Sequence, residues 1–296
     1  MERHHPSFEK HEMPAPSIHL QFFRHDEREP GPPDGTEGNN RIRLTAAARA
    51  RVEQIGRGET THPEMTLVYG SLRDRSVETA YHRLLGAAGV PAEDLSLEEM
   101  REMMDRKLKG PKKEIITEAL NFMWEGSEEF REAARHRFDD TQDALVFLFE
   151  ESDALVARVH DEQSGSYSRK AADIAELVKK YVKMLPIWQR IAMAHPEKYA
   201  RFGHEIKRLL GSHGTVTECF LLKVIEVTQG REAARAWLKA FPNKNGFKLS
   251  EGYDVFIKPS SPKDDPEAEI VVRFGTQEWR MSEEQLDQII QERSAV

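Results

Sequence analysis

Three short segments of the chain bring together residue types suited to a doubly charged oxyanion. Arg24-His25 follows an alternating apolar run, Ser71 opens the stretch Ser71-Leu-Arg-Asp-Arg75-Ser-Val-Glu-Thr79-Ala80, and Ser212-His213-Gly214 precedes a strongly patterned helix. Arg24 and Arg75 offer planar, permanently charged guanidinium groups that grip an oxyanion through parallel N–H donors. His213 can add a donor when its proton sits on the right nitrogen. His25 can present a neutral nitrogen near pH 7. Phosphoryl transfer asks for this combination, because its transition state spreads negative charge over three equatorial oxygens and is stabilised mainly by positioning and charge.

The elements around these segments explain how residues so far apart could meet. Ile18–Phe23 and Met65–Gly70 read as strands, and a strand signal returns at Ile206–Gly211. A helix follows the first strand, with Thr45 as its cap, Ala48, Val52 and Ile55 on one face and Gly56 at its end. Another follows Ser71, with Val77, Ala80 and Leu84 in helical spacing. A third starts near Thr215, where its first N–H groups would favour an anion. Strands alternating with helices predict a parallel sheet covered by helices, and ligands of such sheets bind outside the carboxyl ends of the strands. Each of the three segments begins where a predicted strand ends.

The set resembles the histidine phosphatase superfamily, which includes the phosphoglycerate mutases. Arg24-His25, Ser71-x3-Arg75-x3-Thr79-Ala80 and Ser212-His213-Gly214 match the family's three motifs in order, and Leu44-Thr45 matches the opening of its first helix. The resemblance covers residues 18–90 and 206–275 and implies a three-layer α/β sandwich with a mostly parallel central sheet. It implies His25 as nucleophile, forming a phosphohistidine that water then hydrolyses, with Arg24, Arg75 and His213 binding the phosphoryl group and no metal or other cofactor. Arg28 and Pro30 echo the acid phosphatase branch, which makes Arg28 a further substrate-binding candidate. Glu118, six residues before Trp124-Glu125-Gly126, aligns with the general acid of many small phosphatases of the superfamily, and Glu98 and Glu99 are rival acids. Two positions depart from the pattern. Asp26 stands where the family has the Gly that lies close to the phosphate, so a carboxylate there could repel a dianion or reshape the loop. Leu72 replaces the proline of the second motif.

Composition sets the outer bounds. The chain has 296 residues and a formal charge of −8, which argues against wholesale binding to nucleic acid or acidic membranes. A single cysteine, Cys219, leaves no disulfide framework and no cysteine zinc site. No signal-like run and no apolar window of about 20 residues is visible, so a cytoplasmic protein in a reducing compartment is expected. Residues 1–17, with His4, His5 and His11, read as a disordered polar tail. Residues 18–91 and 206–296 read as the α/β core, and 92–205 as a helical insertion or cap, with helices near 96–107, 127–137, 141–160, 168–185 and 196–203. Sheet is expected again at Tyr253–Lys258 and Glu269–Phe274, and a last helix starts at Ser282 with Gln285 set for a capping box. The expected activity is hydrolysis of a phosphomonoester on a small molecule or a phosphoprotein. Against it stand a phosphate-binding scaffold whose helical insertion binds a partner, and an all-helical interaction protein with accidental motifs.

Overall fold

The computed structural model describes residues 15–32, 37–92, 95–108, 114–122, 126–260 and 267–295. The tail up to residue 14, with His4, His5 and His11, lies outside the described residues, as do Trp124 and Glu125. The described strands are β1 (Ser17–Arg24), β2 (Thr66–Gly70), β3 (Ile115–Ile116), β4 (Glu205–Ser212), β5 (Gly252–Pro259), β6 (Ala268–Phe274) and β7 (Gln277–Met281). They form one seven-stranded sheet in the order β3-β2-β4-β1-β5-β6-β7. The half from β3 to β1 is parallel, and the β5–β7 half is an antiparallel meander. The helices are α1 (Glu37–Asn40), α2 (Ala46–Arg57), α3 (Asp74–Ala87), α4 (Leu97–Leu108), α5 (Glu128–Arg135), α6 (Ala144–Phe147), α7 (Asp153–Arg158), α8 (Tyr167–Ala194), α9 (Pro196–Ala200), α10 (Val216–Gln229), α11 (Arg231–Ala240) and α12 (Glu283–Gln291).

The protein is a three-layer α/β sandwich. β1 alternates, with Ile18, Leu20 and Phe22 on one face and His19, Gln21 and Phe23 on the other. Ile18, Leu20 and Phe22 point into a large core with β4, β5, α8, α10 and α12. Phe23 points the other way, into a second core with Val68, Leu209, α3 and α4. Thr45 caps α2 by accepting from the Ala48 N–H, and Ser282 and Gln285 form the expected capping box on α12. Gly56 does not end α2. Its missing Cβ would lie 2.1 Å from the Arg83 carbonyl oxygen, so this glycine lets α2 and α3 cross closely.

Within the segment 92–205, expected to be a helical insertion or cap, α8 packs on the sheet. Tyr167–Ala194 is a single 28-residue helix, and its buried Ile174, Ala175, Val178 and Tyr181 belong to the same core as Ile18, Leu20 and Phe22. It is a layer of the sandwich. It also continues past Pro186, because Trp188 donates to the His204 carbonyl at 3.0 Å and stacks edge-on to Tyr199, which anchors the last turns. The expected helix 141–160 begins later, at Ala144, after Gln142 turns the chain at φ 59°. Short β3, edge strand β7 and helix α11 were not anticipated from sequence. Among the described residues no helix is long and apolar enough to cross a membrane.

Topology brings the three chemically distinctive segments to one edge. Because β1, β2 and β4 are parallel and Arg24 sits opposite Ser212, His25, Ser71 and His213 all emerge at the same carboxyl end. The chain leaves β1 and β2 toward the α2–α3 face but leaves β4 toward the α8–α10 face. The crevice between β1 and β4 is therefore a topological switch point, where open α/β sheets bind their ligands. Gly211 allows α3 to start against β4, since a Cβ there would lie 2.0 Å from the Ser76 carbonyl oxygen.

Candidate active site

His25 follows the last residue of β1, and its own N–H continues the ladder to the Ser212 carbonyl at 2.8 Å. Its imidazole is buried. Nδ1 lies 2.6 Å from the Asp26 carbonyl oxygen. A carbonyl can only accept, so Nδ1 carries the proton and Nε2 keeps its lone pair. Arg75 Nε donates to that lone pair at 3.3 Å. Burial, followed by the positive charge of Arg75 and then of Arg24 and Arg73, holds His25 well below the ordinary histidine range. The ring is thus neutral at pH 7, with one nitrogen pointing among cations.

Arg75, at 2% exposure, is the most enclosed of these cations, and it is fixed by a residue that sequence reasoning missed. Asn39, buried on the short helix α1, accepts from Arg75 Nη1 through its carbonyl at 3.0 Å and from Nη2 through its Oδ1 at 3.1 Å. The Pro- and Gly-rich stretch around it offers no local signal for an asparagine whose role depends on distant packing. Arg24 Nη1 donates to the Phe247 carbonyl at 2.7 Å, while its Nε is buried without a hydrogen-bond partner. Its guanidinium lies over Gly214, where a Cβ would come within 3.1 Å.

His213 stands with its ring centroid 5.1 Å from that of His25. Its Nε2 meets Ser71 Oγ at 2.7 Å, and its Nδ1 is buried with no partner. Burial, then the neighbouring His25 and Arg73, keep it well below the ordinary range. Ser71 is in turn fixed by Ser76, so the second segment positions the histidine of the third. Thr79 Oγ1 accepts from the Asp26 N–H at 3.2 Å and donates to the Arg75 carbonyl, linking the first segment to the second.

Two carboxylates beside these residues have partners of their own. In the first turn of α10 the buried Glu218 carboxylate accepts from the Phe247 N–H at 2.6 Å and from the backbone of the N-cap Thr215, so a carboxylate already lies against the start of this helix. Burial nonetheless raises Glu218 above the usual carboxylate range. Asp26, for its part, does not oppose an anion with a free charge. Its fully buried carboxylate accepts from Arg51 Nη2 at 2.5 Å and from Ser250 Oγ at 2.5 Å. Burial alone would raise Asp26, but these bonds outweigh it and hold it low.

Glu118 lies in a short 3-10 turn, Glu118–Leu120, at the same sheet edge: Thr117 donates to the Gly70 carbonyl, and Ser212 Oγ to the Leu120 carbonyl at 2.8 Å. Its side chain is exposed and has no hydrogen-bond partner among the described residues. Glu99 accepts from Ser96 N–H and Oγ and so caps its own helix, and Glu98 is exposed beside it. Arg28 pairs through its backbone with Leu44, which makes it part of the entry to α2. Among the described residues no three His, Cys, Asp or Glu side chains cluster as metal ligands.

No protein-family model matches the chain, and no curated protein does. Solved structures are similar at low identity. A mycobacterial hydrolase is 15% identical over 94% of this chain and 98% of its own, with a TM-score of 0.43. Mycobacterial glucosyl-3-phosphoglycerate phosphatase in complex with inorganic phosphate is 14% identical over 89% and 97%, also at 0.43. Phosphoglycerate mutase from Bacillus anthracis is 11% identical over 96% and 99%, at 0.37. All three lie below a TM-score of 0.5.

Proposed function

We propose that this chain is a phosphatase of the histidine-nucleophile type, hydrolysing a phosphomonoester through a phosphohistidine at His25 without a metal. The observation that carries the reading is the tautomer. Nδ1–H is committed to the Asp26 carbonyl, which leaves an unprotonated Nε2 whose lone pair faces Arg75. A nucleophilic histidine needs that lone pair, and an uncharged ring can attack phosphorus at pH 7.

In the proposed sequence, the phosphoryl group lies between Arg24, Arg75 and His213. The partnerless Arg24 Nε and His213 Nδ1 supply donors suited to its oxygens. His213 Nδ1 donates when Ser71 Oγ–H is turned to Nε2. His25 Nε2 forms the N–P bond as the ester P–O bond breaks, and the leaving oxygen takes a proton from Glu118. Water then attacks phosphorus, the P–N bond breaks, and the proton released by water goes to the Glu118 carboxylate. In support of this role, the turn that carries Glu118 joins the same end of the sheet as Ser71 and Ser212, and the Glu118 side chain is exposed. The substrate class is a phosphorylated small molecule or phosphoprotein.

The test is hydrolysis of p-nitrophenyl phosphate in the presence of a chelator, with His25→Ala expected to abolish it and acid-labile phosphate expected on the wild-type protein after a quench. Activity surviving in His25→Ala would sink the mechanism. Phosphate binding with no turnover at any pH would favour a phosphate-binding scaffold.

A further inference from the structure

The residue after His25 is held more tightly than its backbone role requires. A glycine at position 26 would present only an N–H and a carbonyl. Asp26 presents both, to Thr79 at 3.2 Å and to His25 at 2.6 Å, and adds a carboxylate with partners of its own. Oδ1 accepts from the Glu27 N–H at 2.7 Å and from Arg51 Nη2 at 2.5 Å. Oδ2 accepts from Ser250 Oγ at 2.5 Å. Arg51 belongs to α2 and Ser250 to the loop between α11 and β5. That loop also supplies the Phe247 and Glu251 carbonyls that hold the Arg24 side chain and backbone.

We propose that Asp26 is a positioning residue for His25: its carboxylate, clamped between Arg51 and Ser250, fixes the carbonyl that holds the His25 Nδ1 proton, and Arg51 neutralises it so that it does not oppose a bound anion. Its consequence for turnover rests on His25 being the nucleophile. Its consequence for the imidazole tautomer does not. Two separate effects follow. Loosening the clamp lets the Asp26 peptide rotate, so the ring loses its preferred tautomer and its aim. Removing Arg51 alone leaves a buried, uncompensated carboxylate one residue from the anion site, which weakens phosphate binding while leaving the ring in place.

The experiment uses the full chain with Asp26→Gly, Ser250→Ala, Arg51→Met and the Asp26→Asn/Arg51→Met double variant. Ring 15N shifts of His25 report the tautomer, inorganic phosphate titrated by calorimetry reports anion affinity, and p-nitrophenyl phosphate reports kcat and KM. Asp26→Gly is expected to give mixed tautomers and at least a roughly tenfold fall in kcat with KM nearly unchanged, since small misplacements of reacting groups are costly. Ser250→Ala should move both readouts the same way by less, and it carries the test if Asp26→Gly fails to fold. Arg51→Met should weaken phosphate binding about tenfold, and the double variant should recover most of that loss. An unaltered tautomer and kcat in both Asp26→Gly and Ser250→Ala would overturn the positioning role. Failure of Asp26→Asn to rescue Arg51→Met would overturn the neutralising role. A fixed wild-type tautomer that is lost in Asp26→Gly, in a protein without turnover, would sink the phosphatase reading and leave the positioning role standing.

Discussion

The proton of His25 sits on Nδ1 because the carbonyl beside it can only accept, while burial and the guanidinium groups of Arg75, Arg24 and Arg73 oppose a second proton on Nε2. His213 is under the same pressures, burial first. Both resist protonation in the fold, whereas in the unfolded chain each titrates near the ordinary value of 6.5. Below pH 6.5 the unfolded state therefore takes up protons that the folded state refuses. The cost to stability is absent above that pH and grows as pH falls, by at most about 1.4 kcal/mol per pH unit for each histidine. Thermal melting of the phosphate-free protein should drop between pH 6.5 and 5.5, and His25→Gln should flatten part of that drop. A variant melting profile as steep as the wild type would show that His25 is not held neutral. Bound phosphate should reduce the effect, because an anion beside the rings favours their protonated forms.

Between elements, the site depends on how closely α3 approaches the ends of β2 and β4. Ser71, Arg75 and Thr79 reach His213, His25 and Asp26 only because the first turn of α3 packs directly on Gly211. A methyl group there would meet backbone, which cannot swing aside as a side-chain tip can. Gly211→Ala is expected to cost at least about 2 kcal/mol in denaturant unfolding. It should also lower kcat/KM by displacing Arg75 from His25. A substitution neutral in both measurements would mean that α3 has room to shift and that its placement is not what sets the site. The short β3 plays a related part. By pairing Ile116 with Gly70 it brings Glu118 to the same edge as Ser71 and Ser212, leaving that carboxylate in solvent.

At the scale of the whole molecule, α8 turns what reads as an insertion into a structural layer. Ile174 and Val178 are fully buried with β1 and α10, so they should behave as core residues of the sandwich. Ile174→Ala is expected to lose about 2–5 kcal/mol, the usual cost of a cavity in a packed interior. The loss should appear in a single unfolding transition monitored by both tryptophan fluorescence and circular dichroism. A separate early transition, with the sheet signal intact, would mark α8 as part of an independent cap. The tethering of α12 to α8 supports the single transition: Lys179 bridges Glu283 and Asp287, and Arg293, just beyond α12, reaches Glu176 and Asp173.

Local features carried much of this protein in readable form. The alternation in Ile18–Phe23, the cap at Thr45, the capping box at Ser282 and the three polar segments at strand ends all express interactions within a few residues, which neighbouring sequence determines. The convergence of Arg24, His25, Arg75 and His213 was also foreseeable, because parallel strands must release their chains at the same edge. Three things waited for the tertiary structure. Asn39 gained its role only by meeting Arg75 from 36 positions away. Asp26 changed from a threat into an anchored residue once Arg51 and Ser250 closed on it from separate elements. Tyr167–Ala194 became a core layer because burial is decided by which surfaces meet, and a helix whose apolar face could cover either a cap or a sheet reads the same in sequence. Periodicity names the face that must be buried; only the packed chain says against what.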